Sequence, residues 1–311
     1  MVQTLFRRII VAACAVATLC GVLTLAHFPW DVDGADIKVR TASKRFYDEA
    51  YAPTGDKIAY PAAQAGLPSQ SNYFVPISEF LASYGLQNKR VLEIGAGAGG
   101  LQDVARDYVG LDIAEAARIH FHKPFVQGSA TDLPFADSQF DVILTVYTLE
   151  HVPNPETALN EMRRVVKDGG YIYIAPAWDV PWWRSRGYDM RPWSDLDLRG
   201  KVVSAFVAPV QRSLVYTCLY RIPAHAIRSA WWHSSASHPT VLRYKRLTPD
   251  YEHFWGPDSD AVNSLDAFEA ALWYRSRGDE CLNCASGLHQ IVRTWGHPLI
   301  ILVHKGAGSR Q

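Results

Sequence analysis

Four glycines fall within six positions, Gly95 to Gly100 of the stretch RVLEIGAGAGG (90–100). They follow a short apolar run, and the next apolar run, YVGLDI (108–113), carries Asp112 near its end. Glycine costs backbone entropy, so such a cluster marks a sharp turn or a close approach of the backbone to something else. Gly95, Gly97 and Gly100 satisfy G-x-G-x-x-G, and Asp112 lies 17 residues after Gly95. By itself this pattern fits a dinucleotide, because an acid at the end of the second strand holds ribose hydroxyls. Glu93, two places before Gly95, points elsewhere. A carboxylate there repels a pyrophosphate and favours a cationic ligand.

The surrounding chain alternates strands and helices. Residues 77–86 have apolar positions at helical spacing. Arg90–Ile94 reads as a buried strand, a short helix is expected from about Gly99 to Arg106, and Tyr108–Ile113 is the second strand. Residues 124–130 and 140–147 are the third and fourth strands, the latter with the continuous apolar character of a two-sided buried strand. Residues 154–166 are a helix, with Asn154 as its cap, Pro155 at its first turn, and Ala158, Met162, Val165 and Val166 as its apolar stripe. Asp168-Gly169-Gly170 is expected to stop it, and 171–177 is the fifth strand. Residues 265–278 read as a further helix and 298–305 as a final strand. Such alternation predicts an α/β doubly wound, mostly parallel sheet covered by helices on both faces. Ligands of such sheets bind outside the carboxyl ends of the strands, where the glycines and Asp112 fall.

Four motifs in order, the glycine loop, Asp112, VQGSATDLPF (126–135) and LEHVPNPETALNEMRRVVKDGG (149–170), make the stretch Arg90–Pro176 resemble the class I S-adenosylmethionine-dependent methyltransferases of the small-molecule kind called type 11. The resemblance covers about the middle third of the chain. It implies a seven-stranded Rossmann-like sheet ending in a reversed strand at its edge, with S-adenosylmethionine as cofactor. It also implies that Glu93, Gly95, Gly97 and Gly99 form the loop at the methionine part of the cofactor. Asp112 would then accept the ribose hydroxyls, Ile113 would pack on adenine, and Val146 and Tyr147 would close the pocket floor. Ser129, Ala130 and Asp132 stand where the adenine edge would lie. Relatives often carry an acid directly after Gly128; this chain has Ser129, and Asp132 is either the nearest substitute or a turn cap. Glu150 and His151 occupy the L-E-H position. They are read chiefly as loop-orienting residues, with His151, and Tyr147 beside it, as candidates for catalysis.

Lys plus Arg equals Asp plus Glu at 31 each, so no basic excess points to a nucleic-acid partner. Ile9–Trp30 holds no Asp, Glu, Lys or Arg, and 22 helical residues span roughly 30 Å, enough for a bilayer. An uncleaved membrane anchor is the reading adopted, a cleaved signal or a soluble helix being the alternatives. Arg7 and Arg8 precede the run and Lys38, Arg40, Lys44 and Arg45 follow it, which favours a single-pass protein with a cytoplasmic body. Cys281-x-x-Cys284 lacks a second pair for a zinc site, and no metal site is expected. The two read as ordinary cysteines near a strand end, a redox or disulfide role being the alternative.

The expected organisation is a membrane segment (1–30), a linker with local helix (31–89), the cofactor-binding core (90–176), a substrate or lid insertion (177–261) and a completion of the core (262–305). Seven of the ten tryptophans lie between Trp178 and Trp255. The insertion is read as a packed helical cap. Its alternatives are a membrane-surface element, with Arg212, Arg221 and Arg228 at helical spacing, and a lid with Trp182, Trp183 and Trp193 stacking on the acceptor. The expected activity is methyl transfer to a small-molecule, lipid or glycan acceptor. A non-catalytic methyltransferase-fold partner subunit and a nicotinamide-dependent oxidoreductase are the rival readings.

Overall fold

The apolar runs alternate between two helix-covered faces, and that alternation builds the molecule. A computed structural model describes residues 2–27, 30–34, 37–52, 72–180, 193–207, 213–234, 239–249, 251, 260–284 and 297–306. Five parallel strands, β1 (Arg90–Ile94), β2 (Asp107–Asp112), β3 (Phe125–Gln127), β4 (Phe140–Val146) and β5 (Val166–Ala175), form most of one sheet. Two further strands of the core, β8 (Glu280–Cys281) and β9 (Leu299–Leu302), complete the order β3-β2-β1-β4-β5-β9-β8. A short antiparallel pair, β6 (Lys245–Arg246) and β7 (Asn263–Ser264), lies apart. Only β9 runs against the others in the seven-stranded sheet. The reversed strand is therefore not at the edge, as the resemblance implied; the two-residue β8 covers it.

Side chains of one strand leave it on alternate faces. Val91, Val142, Leu144 and Tyr173 pack with Ile77, Phe80 and Leu81 of helix α3 (Phe74–Ser83). Leu92, Ile143, Ile172 and Ile174 pack with Ala158, Leu159, Met162 and Val165 of α4 (Pro155–Val165) and with Trp273 of α7 (Ala267–Arg275). The order of strands reverses between β1 and β4, so the loops leaving these two strands diverge and open a crevice at their carboxyl ends.

Four local expectations are corrected. Residues 99–106 form turns rather than a helix (Gln102 N donates to Gly99 O at 3.1 Å, Val104 N to Leu101 O at 3.0 Å), because Gly99 is left-handed at φ +74° and breaks the helical path. Asn154 does not cap α4 with its side chain. Asp33, far away in sequence, accepts from Thr157 N at 2.7 Å and from Glu156 N at 3.3 Å, while Asn154 Oδ1 accepts from Gly34 N. Strand β5 begins at Val166, directly where α4 ends, so Asp168-Gly169-Gly170 lie inside the strand; Gly169 N donates to Val303 O at 2.8 Å. Cys281 and Cys284 are joined as a disulfide at the end of β8, the alternative to the two ordinary cysteines expected there.

The N-terminal helix α1 (Val2–His27) includes a 24-residue stretch, Gln3–Ala26, long and apolar enough to cross a membrane. Its last turns pack Leu23 and Ala26 on Val203 and Val207 of α5 (Leu198–Val207) and on Tyr216. Arg199 Nε donates to Leu25 O at 3.1 Å, supplying a cation to the carbonyl end of the helix. Residues Leu214–Tyr216, a π-turn at Thr217–Arg221, and α6 (Ile222–Ser234) follow one another without a break. The stretch 31–89, expected as a linker with local helix, holds helix α2 (Ile37–Tyr51), which packs against the turn Glu115–His120 and contributes to the site.

Candidate cofactor and catalytic site

The glycine loop is shaped by its neighbours. Gly95 and Gly97 are left-handed, at φ +73° and +49°. A Cβ at Gly95 would overlap the Thr148 side chain, whose Cβ would stand 2.7 Å away, and one at Gly97 would meet Tyr51 Oη at 2.8 Å. Gly95 N and Ala96 N both donate to Leu111 O, at 2.8 and 3.0 Å, which pins the loop to the end of β2. Asp112, buried, accepts from Gly97 N through Oδ2 and from Ala114 N through Oδ1, each at 2.9 Å. Burial pushes its carboxyl above the usual range and these backbone donors oppose the shift.

Glu93 is buried one strand away. Desolvation pushes its carboxyl up to about 8, while the Tyr108 hydroxyl, donating to Glu93 Oε2, pulls it down, and the nearby Asp112 adds to the rise. Tyr51 of α2 is buried against Gly97, and its hydroxyl is held above its ordinary value by burial and then by the charges of Asp112, Asp260 and Glu93. The region around Tyr51 therefore gathers three carboxyl groups from three distant segments. These residues fit a cationic, phosphate-free cofactor by charge, because buried carboxylates favour positive charge; the faces of Gly95 and Gly97 are taken up by Thr148 and Tyr51.

The third-strand loop fits the resemblance less closely. Ser129 Oγ bonds Thr131 Oγ1 at 2.9 Å within its own turn, Ala130 is buried in the core, and Asp132 is exposed with no side-chain hydrogen bond among the described residues. The cap of that turn comes instead from Glu161, whose Oε2 accepts from Leu133 N at 2.8 Å. Ile113 is half-buried beside Tyr47, Tyr51 and Ala114, and Val146 is half-buried at the end of β4.

The two candidates for catalysis are in different surroundings. Tyr147 is 53% exposed, left-handed at φ +49°, and stacks edge-on to Tyr73 with ring centroids 5.3 Å apart. His151 is enclosed. Its Nδ1 lies 3.4 Å from Asp260 Oδ2 and its Nε2 3.8 Å from Glu150 Oε1, and both carboxylates are fully buried. Tyr47 Oη donates to Asp260 Oδ2 at 2.5 Å and its ring meets the imidazole edge-on. Glu150 does orient the loop: Oε1 accepts from Ala177 N at 2.9 Å, and its carbonyl from Val262 N at 2.8 Å. Asn263 Nδ2 donates to Val152 O, which clamps the 149–152 turn to β7 and brings Asp260 to His151. Tyr47, Tyr51 and Asp260 escaped the sequence reading. The first two share one helix face at i, i+4, a visible signal; nothing in the sequence marks Asp260. Trp182 and Trp183 lie outside the described residues, and Trp193 is 54% exposed.

Residues 92–174 match the family described as methyltransferase domain. The matched residues run from β1 to β5 and carry the glycine loop, Asp112, Glu150 and His151. The chain is 37% identical over 115 residues to the fatty-acid O-methyltransferase of Mycolicibacterium smegmatis, a match covering 32% of this chain and 42% of that protein. It is 36% identical over 116 residues to a probable phthiotriol/phenolphthiotriol dimycocerosates methyltransferase 2 of Mycobacterium ulcerans (32% and 45%). It is 32% identical over 108 residues to the ubiquinone biosynthesis O-methyltransferase of Pseudomonas aeruginosa (29% and 45%). The matches thus span less than half of these curated relatives. Among solved structures, a possible histamine N-methyltransferase of Thermotoga maritima is 26% identical with a TM-score of 0.33, covering 44% of this chain and 62% of that one.

Proposed function

We propose that the chain transfers a methyl group from S-adenosylmethionine to an oxygen of a membrane-borne amphiphile. The observation that carries the cofactor half is the convergence of Glu93, Asp112 and the left-handed Gly95 and Gly97 at the carboxyl ends of β1 and β2. When bound, S-adenosylmethionine supplies an electrophilic methyl group on a cationic sulfur. Glu93 and Asp112 would hold it by charge and hydrogen bonds, the glycine loop would bring the backbone to it, and Ile113 would pack on its base, with the backbone of Ala130 nearby. His151, backed by Asp260 and Tyr47, accepts the proton of a hydroxyl acceptor, and Glu150 fixes the turn that presents it. The oxygen acceptor rests on the relatives, two of which are named O-methyltransferases and two of which are named for lipids. The amphiphile rests on those lipid names and on α1.

The test is calorimetric titration of the full chain in detergent. S-Adenosylmethionine and S-adenosylhomocysteine bind and NADH does not; Asp112→Ala weakens binding by about 1–3 kcal/mol through lost charge-assisted hydrogen bonds. Unchanged affinity in that variant would remove Asp112 from the site. A second measurement uses Glu93. Below about pH 8 its carboxyl is protonated, and a bound cation favours the ionised form. Affinity for S-adenosylmethionine therefore rises as pH is raised through that value, with a proton released on binding, and Glu93→Gln flattens the dependence. Equal heats in buffers of different ionisation enthalpy would count against this linkage.

The supply of the cofactor and the basic residues on either side of the uncharged run 9–30 favour a cytoplasmic body anchored by a single span. One observation favours the opposite placement: persistent disulfides belong to oxidising compartments, and Cys281 is bonded to Cys284.

A further inference from the structure

We propose that the cavity between the carboxyl end of α1 and helix α6 binds the anionic head of a membrane amphiphile, with Arg243 as the residue that recognises the charge. The cavity holds about 290 Å³ and lies apart from the glycine loop, walled by the residues that follow β5, by α6 and by the start of α7. The π-turn carries Arg221 into its wall; such turns inside helices often mark functional positions.

Among the described residues, its cations are each paired with a carboxylate except for one. Arg221 Nη2 is 2.6 Å from Asp179 Oδ2, His225 Nε2 2.8 Å from Asp266 Oδ2, and Arg228 Nε 2.9 Å from Glu269 Oε1. Lys245 at the same wall meets Asp31 at 3.2 Å. Arg243 makes no hydrogen bond and no ion pair among the described residues, and it is half-buried. Burial and the neighbouring charge of Arg228 hold its guanidinium below its ordinary value, and the charge of Glu269, itself bonded to Arg228, opposes them only in part. A half-buried guanidinium left without a partner costs free energy that an incoming carboxylate or phosphodiester would recover.

The position of the cavity selects an amphiphile over a free ion. Thr24, in the last turns of the candidate membrane span, and Trp30, just beyond it, line the cavity. Ile227 and Trp231 of α6 line it too, and are 66% and 63% exposed. Leu214 and Val215 on the same helical unit, and Phe206 of α5, are also exposed. An apolar surface continuous with a membrane helix, beside an unmatched cation, suits a ligand whose tail stays in the bilayer and whose head enters the protein. The inference does not depend on methyl transfer.

The test titrates the full chain in non-ionic detergent with dioctanoyl-phosphatidylglycerol, dioctanoyl-phosphatidylcholine and inorganic phosphate, with S-adenosylhomocysteine binding followed in the same samples. Phosphatidylglycerol binds saturably at one site, and phosphatidylcholine and phosphate bind at least about tenfold more weakly. Arg243→Gln lowers the affinity for phosphatidylglycerol by about tenfold or more and leaves S-adenosylhomocysteine binding unchanged, while Arg243→Lys retains most of it. Equal binding of the two lipids, phosphate binding as tight as phosphatidylglycerol, or full lipid affinity in Arg243→Gln would each overturn the proposal. Loss of S-adenosylhomocysteine binding in the unaltered chain would instead count against the methyl-donor reading alone.

Discussion

His151→Gln lowers kcat by about 10²–10⁴-fold and leaves affinity for S-adenosylhomocysteine unchanged. Its imidazole is 10% exposed and stands between Asp260 at 3.4 Å and Glu150 at 3.8 Å, so protonation of the ring gains two buried counter-charges. Tyr47, bonded to Asp260 at 2.5 Å, holds that carboxylate in place. Asp260→Asn removes one of those charges. It shifts the acidic limb of the rate profile, along which the imidazole becomes free to accept a proton, to lower pH, because an imidazolium without its carboxylate loses its proton more readily. A structural role for Asp260 alone would lower the amount of folded protein without moving that limb. Steady-state rates across pH, with cofactor binding as the control, decide between them. Full activity in His151→Gln would mean that the acceptor oxygen arrives ionised, as a carboxylate does, and would withdraw His151 as a base.

Gly95→Ala abolishes cofactor binding and lowers the melting temperature. Two independent costs combine. A non-glycine residue at φ +73° costs roughly 1–2 kcal/mol, and forcing a methyl against Thr148 costs about 1–3 kcal/mol more. The loop then has two ways to yield: it leaves Leu111 O, which now accepts from two of its amides, or it pushes Thr148 away from Val146 O, with which it bonds at 2.9 Å. Either response moves the backbone that the cofactor must approach. Thermal melting with and without S-adenosylhomocysteine measures both costs. Adding Thr148→Ala to the variant recovers part of the melting temperature but not the backbone strain. A Gly95→Ala chain that binds normally would show that the loop tolerates a side chain and would unseat its assigned part in the site.

Short-range regularities were legible in the chain itself. Val91-Leu92, Val142-Ile143-Leu144 and Ile172-Tyr173-Ile174 are continuous apolar stretches because each strand is covered on both faces, and a two-sided strand has no polar face to display. The stripe Ala158, Met162 and Val165 announced α4, since only one side of that helix is buried. The left-handed glycines were legible for the same local reason: no other residue takes those dihedrals without strain. Glu93, Asp112 and His151 could be named because each sits at a fixed offset from such an element.

What escaped was whatever depends on pairing across large sequence separations. Asp33 caps α4 in place of Asn154, Tyr47 and Asp260 meet across 213 residues, and Arg243 has no hydrogen bond or ion pair among the described residues, in a wall where the other cations have one. No local pattern records these, because a side chain's hydrogen bond is set by where two segments meet after the sheet has closed. The sequence alone determined the alternating strands and helices, the left-handed loop and the kind of ligand its carboxylates favour, all of which follow from local dihedrals and periodic burial. Only the tertiary structure decided which carboxylate backs His151 and which charge in the cavity stays unmatched, because burial removes water as the alternative partner and leaves each group only what the fold brings to it.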